Sequence, residues 1–130
     1  MTEPLDTPSP PVPLLVIVDG ANVVGSRPDG WWRDRKGAAE RLRDRLADQG
    51  LPGRAEPVEI VLVVEGAARG VTSVPGVRVE AAPGSGDDRI VELAAASAGR
   101  ARLVITADRE LRRRVAELGA EVAGPRTVLG

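Results

Sequence analysis

The sequence predicts a single parallel α/β domain, and three observations lead there. Apolar runs of strand length alternate with amphipathic stretches of helix length, the pattern that builds a parallel sheet covered by helices. The apolar residues are Val, Leu, Ile and Ala, with two Trp and no Phe or Tyr, as suits strands buried on both faces. Several of the runs stop at an acidic residue. With 130 residues, 42% of them hydrophobic, the chain fills one ordinary core and not two.

The elements follow in order. Met1 to Pro13 holds Pro4, Pro8, Pro10, Pro11 and Pro13 among small polar residues, which forbids a helix or central strand. It is expected to be an extended or mobile tail, with the domain running over 14–130. Leu14 to Val18 is a wholly apolar, β-branched strand ended by Asp19-Gly20. Ala38, Ala39, Leu42 and Leu46 form one stripe of an amphipathic helix stopped by Gly50 and Pro52. Val58 to Val64 is a second strand, ending at Glu65-Gly66.

Gly66 to Gly76 shows little helical pattern, although a parallel crossover usually needs a dozen or more residues. Val77 to Glu80 alternates apolar and charged residues, as a strand nearer an edge does. Ile90, Leu93, Ala94 and Ala98 mark a helix from Asp87 to Gly99. Arg102 to Thr106 is a fourth strand, and Leu111, Val115 and Leu118 are the stripe of a third helix ending at Gly119. Glu121 to Ala123 is a short fifth strand.

Composition narrows the chemistry. There is no Cys and no His, which removes thiolate and imidazole as nucleophile, base or metal ligand. Carboxylates remain. Lys and Arg number 18 against 19 Asp and Glu, a net charge of −1, so the chain lacks the global basic signature of many nucleic-acid binders. No apolar run approaches the roughly 20 residues of a membrane span and no signal-peptide pattern begins the chain. A soluble, cytoplasmic protein without a membrane partner is expected; composition leaves monomer or homodimer open.

A residue just beyond a parallel strand lies at the sheet's carboxyl edge, where open α/β sheets bind ligands. Asp19 and Asp108 occupy that position after V-I-V and V-I-T-A. Gly20 is expected to give the chain a sharp exit that exposes Asp19. Asp87 and Asp88 open the helix that leads into the strand before Asp108, so all four converge on one edge. Asp87 and Asp88 lie about 100° apart around a helix, and Asp87, on the side of Ile90 and Ala94, is the one turned toward the sheet.

Grouped carboxylates repel one another unless a cation neutralises them. With oxygen ligands alone, Mg²⁺ or Mn²⁺ is the natural ion. Helix capping is the structural alternative for Asp87, Asp88 and Asp108. Asn22, three residues after Asp19, is a candidate for positioning water or Asp19, or an Asx-turn residue. Glu65 is a second-tier candidate against a solvated strand end.

Trp31 and Trp32 are candidate base-stacking platforms, against a helix-packing role. Arg27, Arg33 and Arg109 are candidate phosphate contacts. The arginines at 35, 41, 43 and 45, with Lys36, could track a phosphate backbone or simply form a solvated helix face.

Three segments, V-D-G-A-N-V at 18–23, G-S-G-D-D-R-I-V-E-L-A at 84–94 and V-I-T-A-D-R-E-L at 104–111, together resemble the NYN domains, a branch of the PIN-like nucleases. Their order and spacing are most similar to the YacP-like subgroup, over roughly Leu14 to Leu118. The resemblance implies a three-layer α/β/α domain with a parallel sheet of four or five strands in order 3-2-1-4-5. It implies a metal-dependent endoribonuclease site in which Asp19 and Asn22 match the first motif, Asp87 or Asp88 the middle acid and Asp108 the last. Some relatives carry a further acid where this chain has Arg112, which puts full two-metal chemistry in doubt. No RNA-binding module or basic extension accompanies these motifs, so RNA choice is expected to rest on a partner or the ribosome.

Other phosphate-handling folds fail on motif. There is no G-K-[ST] P-loop, G-S-G-D-D-R lacks the third Gly of a dinucleotide loop, and D-G-A lacks the second Asp of a haloacid-dehalogenase nucleophile loop. The expected function is a Mg²⁺- or Mn²⁺-dependent ribonuclease. The alternatives are a non-catalytic RNA- or nucleotide-binding module of the same fold and a nucleotide pyrophosphohydrolase.

Overall fold

Five apolar runs pair as parallel strands: β1 (Leu14–Asp19), β2 (Val58–Val64), β3 (Val77–Ala81), β4 (Arg102–Ile105) and β5 (Glu121–Ala123). The computed structural model describes residues 12–54 and 57–130, so the Pro-rich tail expected over 1–13 lies, apart from Val12 and Pro13, outside the described residues. The sheet order is β3-β2-β1-β4-β5, with every pairing parallel. β1 is central and buried along its whole length, as its uninterrupted apolar run requires.

Alternation along β1 divides the core in two. Leu14, Val16 and Val18 face one side, with Ala39, Leu42 and Leu46 of α2 (Arg35–Gln49). Leu15 and Ile17 face the other, with Ile90 and Ala94 of α3 (Gly86–Ala96) and Leu111 and Val115 of α4 (Arg109–Glu117). These are the three layers. Asp34 caps α2 by accepting from the Gly37 N–H at 2.9 Å, and a Cβ on Gly37 would lie 2.2 Å from the Asp34 carboxylate. That helix start therefore depends on Gly37.

The β2–β3 crossover, from Glu65 to Gly76, is made without a helix. It holds only a short 3₁₀ turn at Gly66–Ala68, then buries Val71. Val74 and Val77 bond each other's backbones across Pro75-Gly76, and Gly76 at φ 93° supplies the positive φ of a type II turn.

Three expectations need correction. Leu118 is 36% exposed and lies past the end of α4, and Ala98 is exposed past the end of α3 at Ala96, so neither is core. Two short helices have no counterpart in the sequence pattern: α1 (Gly20–Gly25) directly after β1, and α5 (Arg126–Leu129), which buries Val128. Gly20 does not take a positive φ. It is buried, and a Cβ there would sit 2.6 Å from the Val63 carbonyl oxygen, so its smallness serves close packing between α1 and β2.

Arg102 is 6% exposed and pairs with no carboxylate among the described residues. Its guanidinium donates instead to the carbonyls of Ala94, Arg100 and Leu118. Two of these acceptors lie near the carboxyl ends of α3 and α4, where a cation suits the helix dipole.

Candidate functional site

The carboxyl ends of β1, β2 and β4 and the start of α3 meet at the point where strand order reverses between β1 and β4. Asp19, the last residue of β1, is 3% exposed, so the expectation that Gly20 exposes it is wrong. Its two oxygens are both engaged. Oδ2 accepts from the Thr106 hydroxyl at 2.9 Å and Oδ1 from the Asn22 N–H at 3.3 Å.

The Thr106 hydroxyl also accepts from the Asp108 N–H at 3.1 Å, and so joins the two aspartates. Asn22, in the first turn of α1, is not an Asx-turn residue here. Its Oδ1 accepts from the Ala107 N–H at 2.8 Å, tying α1 to the chain leaving β4.

Asp108 does cap α4, accepting from the Leu111 N–H at 2.8 Å through Oδ1. Neither Asp87 nor Asp88 is the N-cap of α3, because Ser85 caps it by accepting from the Asp88 N–H at 3.2 Å; both stand in the first turn, where the helix dipole suits them. Asp87 is partly buried, whereas the Asp88 side chain is 69% exposed and pairs with Arg114 at 3.2 Å. Glu65, past the end of β2, accepts from the Gly86 N–H at 3.0 Å. A Cβ on Gly86 would fall 2.5 Å from that same oxygen, so Gly86 is what lets Glu65 reach the start of α3.

The electrostatics record the crowding. Burial pushes the Asp19 carboxyl up to about 6, against the pull of the Thr106 and Asn22 hydrogen bonds, and the charges of Asp87 and Glu65 raise it further. Burial also raises Asp87; Asp108, Glu65 and Asp88 add to the effect, and Arg114 opposes it. Asp19, Glu65, Asp87 and Asp108 thus form one acidic neighbourhood.

As the side chains stand, no three acidic groups among the described residues are gathered closely enough to hold one ion. The donor chemistry nonetheless fits a hard cation. Every donor is oxygen, and Mg²⁺ is commonly bound through one or two carboxylates with water completing the shell.

Of the basic and aromatic candidates, Trp31 and Arg35 share a cleft with Gly20 and Glu65 of this edge. Arg27 is committed to the carbonyls of Leu129 and Gly130. Trp31 and Trp32 meet edge to face at 6.0 Å, with Arg35 over Trp31 and Arg33 over Trp32. Arg109 is exposed beside Asp108. Arg112 donates to the Thr106 carbonyl at 2.8 Å, placing a cation close to the network.

Two residues of the network carry no role in the sequence reading. Thr106 had one visible signal, a hydroxyl closing an apolar strand two residues before Asp108. Gly86 had none, since its constraint comes from Glu65 across the fold.

No family model and no curated protein matches the chain. Among solved structures it is similar to Rae1 (YacP) from Bacillus subtilis, crystallised as a point mutant. The TM-score is 0.65 at 23% identity, over 88% of this chain and 71% of that one. The chain therefore has the fold of Rae1 (YacP), the YacP-like architecture that its three motifs resemble.

Proposed function

We propose that this chain is a ribonuclease that hydrolyses RNA phosphodiester bonds at the acidic edge with the help of Mg²⁺ or Mn²⁺. The observation that carries the reading is Asp19: a carboxylate 3% exposed, raised to about 6, bonded through Thr106 toward Asp108 and repelled by Asp87 and Glu65. Such an arrangement costs stability unless a cation offsets it. Asp19, Asp87 and Asp108 would hold the ion, which supplies an activated water and charge stabilisation for in-line displacement. Asp88 is the weaker candidate because Arg114 already neutralises it.

The remaining residues position. Thr106 and the α1 backbone fix the Asp19 carboxylate, and Gly86 holds Glu65 at the rim. Asn22 has its Oδ1 committed to Ala107, so only its amide N–H groups can address a substrate oxygen. RNA as the substrate is supported by the three motifs and the shared fold.

The test is incubation of purified protein with single-stranded and hairpin RNA in Mn²⁺, with an EDTA control and an Asp19→Asn variant. Cleavage that needs the metal and drops by roughly a hundredfold or more in the variant is expected. Equal metal-dependent cleavage by the variant overturns the proposal. Metal-dependent RNA retention without cleavage identifies a binding module instead, and hydrolysis of nucleoside triphosphates in place of RNA a pyrophosphohydrolase.

A further inference from the structure

Two clefts flank α1. The larger, about 280 Å³, is rimmed by Arg27, Arg41 and Arg45, but Arg27 and Arg45 are held by the carbonyls of Val128, Leu129 and Gly130. The smaller, about 170 Å³, has Gly20, Ala21 and Gly66 among its lining and Trp31, Arg35 and Glu65 around it. We infer that this smaller cleft receives a nucleobase of the RNA strand lying on the acidic edge, stacked against the indole–guanidinium pair of Trp31 and Arg35. The inference rests on the ribonuclease reading and adds a base subsite to it.

Continuity with the acidic edge comes first. Gly20, which lines the cleft, directly follows Asp19, and Glu65, which also lines it, accepts from the Gly86 N–H at the start of α3. A nucleotide neighbouring one whose phosphate lies at Asp19 therefore meets this opening.

Size is the second consideration. The cleft falls well below the ~300–1,000 Å³ of pockets for drug-sized ligands, which suits one planar ring system. Small residues at Gly20, Ala21 and Gly66 leave it open, and Gly66 at φ 58° turns the chain away immediately after Glu65. A side chain at position 66 would be strained whatever room it had.

Chemistry is the third. Trp31 is the aromatic surface in the lining, partly buried and set by Gly30 at φ 84°, which opens the 3₁₀ turn Trp31–Arg33. The Arg35 guanidinium lies over the Trp31 ring, 5.4 Å from its centroid, so the two present one stacked indole–guanidinium surface. An indole beside a guanidinium offers stacking to a base and attraction to its phosphate, the pairing on which single-strand binding relies.

The chain has two tryptophans, so Trp32→Phe leaves Trp31 as the only indole reporter. That protein is titrated, in Ca²⁺ in place of Mg²⁺, with a short oligoribonucleotide and with an abasic oligomer of the same length. Anisotropy of a labelled oligomer follows binding in parallel. Saturable quenching by the base-bearing strand, and none by the abasic strand, is expected. Trp31→Ala in the otherwise native chain should weaken binding about tenfold, and Trp31→Phe should restore most of it.

A base-bearing oligomer that binds without quenching, or that does not bind, overturns the subsite. So does unchanged affinity in Trp31→Ala. Mn²⁺-dependent cleavage by the native chain is read separately: cleavage without quenching removes the base subsite and leaves the nuclease, whereas quenching without cleavage removes the nuclease and leaves a base-binding cleft.

Discussion

Replacing Asp19 by Asn should strongly reduce metal-dependent chemistry and yet stabilise the folded protein. The Asp19 carboxyl stands near 6 in the fold against an ordinary 3.8, a gap of about two units. At 1.36 kcal/mol per unit this penalises the folded, charged state by about 3 kcal/mol. Asparagine keeps the shape and removes the charge. Its amide nitrogen cannot accept, so one of the two hydrogen bonds from Thr106 and Asn22 is lost, at about 1 kcal/mol. The net gain near pH 7.5 is about 2 kcal/mol, or about 8 °C in melting temperature for a chain of this size.

The pH dependence has a definite sign. Because the folded carboxyl titrates above the unfolded one, the native Asp19 favours the fold at low pH, and that contribution is lost as pH rises from about 4 to about 6. The variant has no such loss. Its advantage should set in between about pH 4 and about pH 5, be nearly full above about pH 6, and reverse below about pH 4, where only the missing hydrogen bond remains. Thermal melts across this range in EDTA read it directly. An Asp19→Asn protein less stable than the native chain near pH 7.5, or an offset independent of pH, refutes the reasoning.

Other perturbations separate packing from chemistry. Thr106→Val keeps the side-chain shape but leaves Asp19 Oδ2 and the Asp108 N–H without their shared partner. It should cost about 1–3 kcal/mol in urea unfolding and raise the Asp19 titration further. Gly20→Ala drives a Cβ to 2.6 Å from the Val63 carbonyl oxygen, and should lower stability by about 1–3 kcal/mol; an unchanged melting temperature would contradict that packing. Gly86→Ala puts a methyl 2.5 Å from Glu65 Oε1, so Glu65 must leave the start of α3. Reduced metal affinity with little change in melting temperature is expected, and unchanged affinity would show that Glu65 plays no part.

What the sequence made legible was local. β1 reads as a buried strand because every residue from Leu14 to Val18 is apolar, and the α2 stripe of Ala39, Leu42 and Leu46 reads at helical spacing. The sheet order came from three motifs taken together and is the order observed. α1 and α5 were invisible because six and four residues are too few to establish a period. Leu118 misled because its spacing continues the α4 stripe past the end of the helix at Glu117.

At the site, Asp19 and Asp108 were legible by strand position. Thr106, Gly86 and the pairing of Asp88 with Arg114 were not. Each depends on a contact between residues far apart in sequence, such as Thr106 with Asp19, which no short window contains. Burial of Asp19 was missed for a related reason: α1 folds over the strand end that the sequence leaves looking open.

Calorimetric titration of Mn²⁺ into the native chain and into Asp19→Asn tests the shared acidic site most directly. An ion taken up among Asp19, Asp87 and Asp108 should displace the proton that Asp19 partly holds near pH 6. Binding is therefore predicted to release about half a proton near pH 6, to release little near pH 8, and to weaken strongly in the variant. Mn²⁺ binding with the same affinity and the same proton release in Asp19→Asn, or no binding to the native chain at millimolar Mn²⁺, would contradict a metal site at this edge.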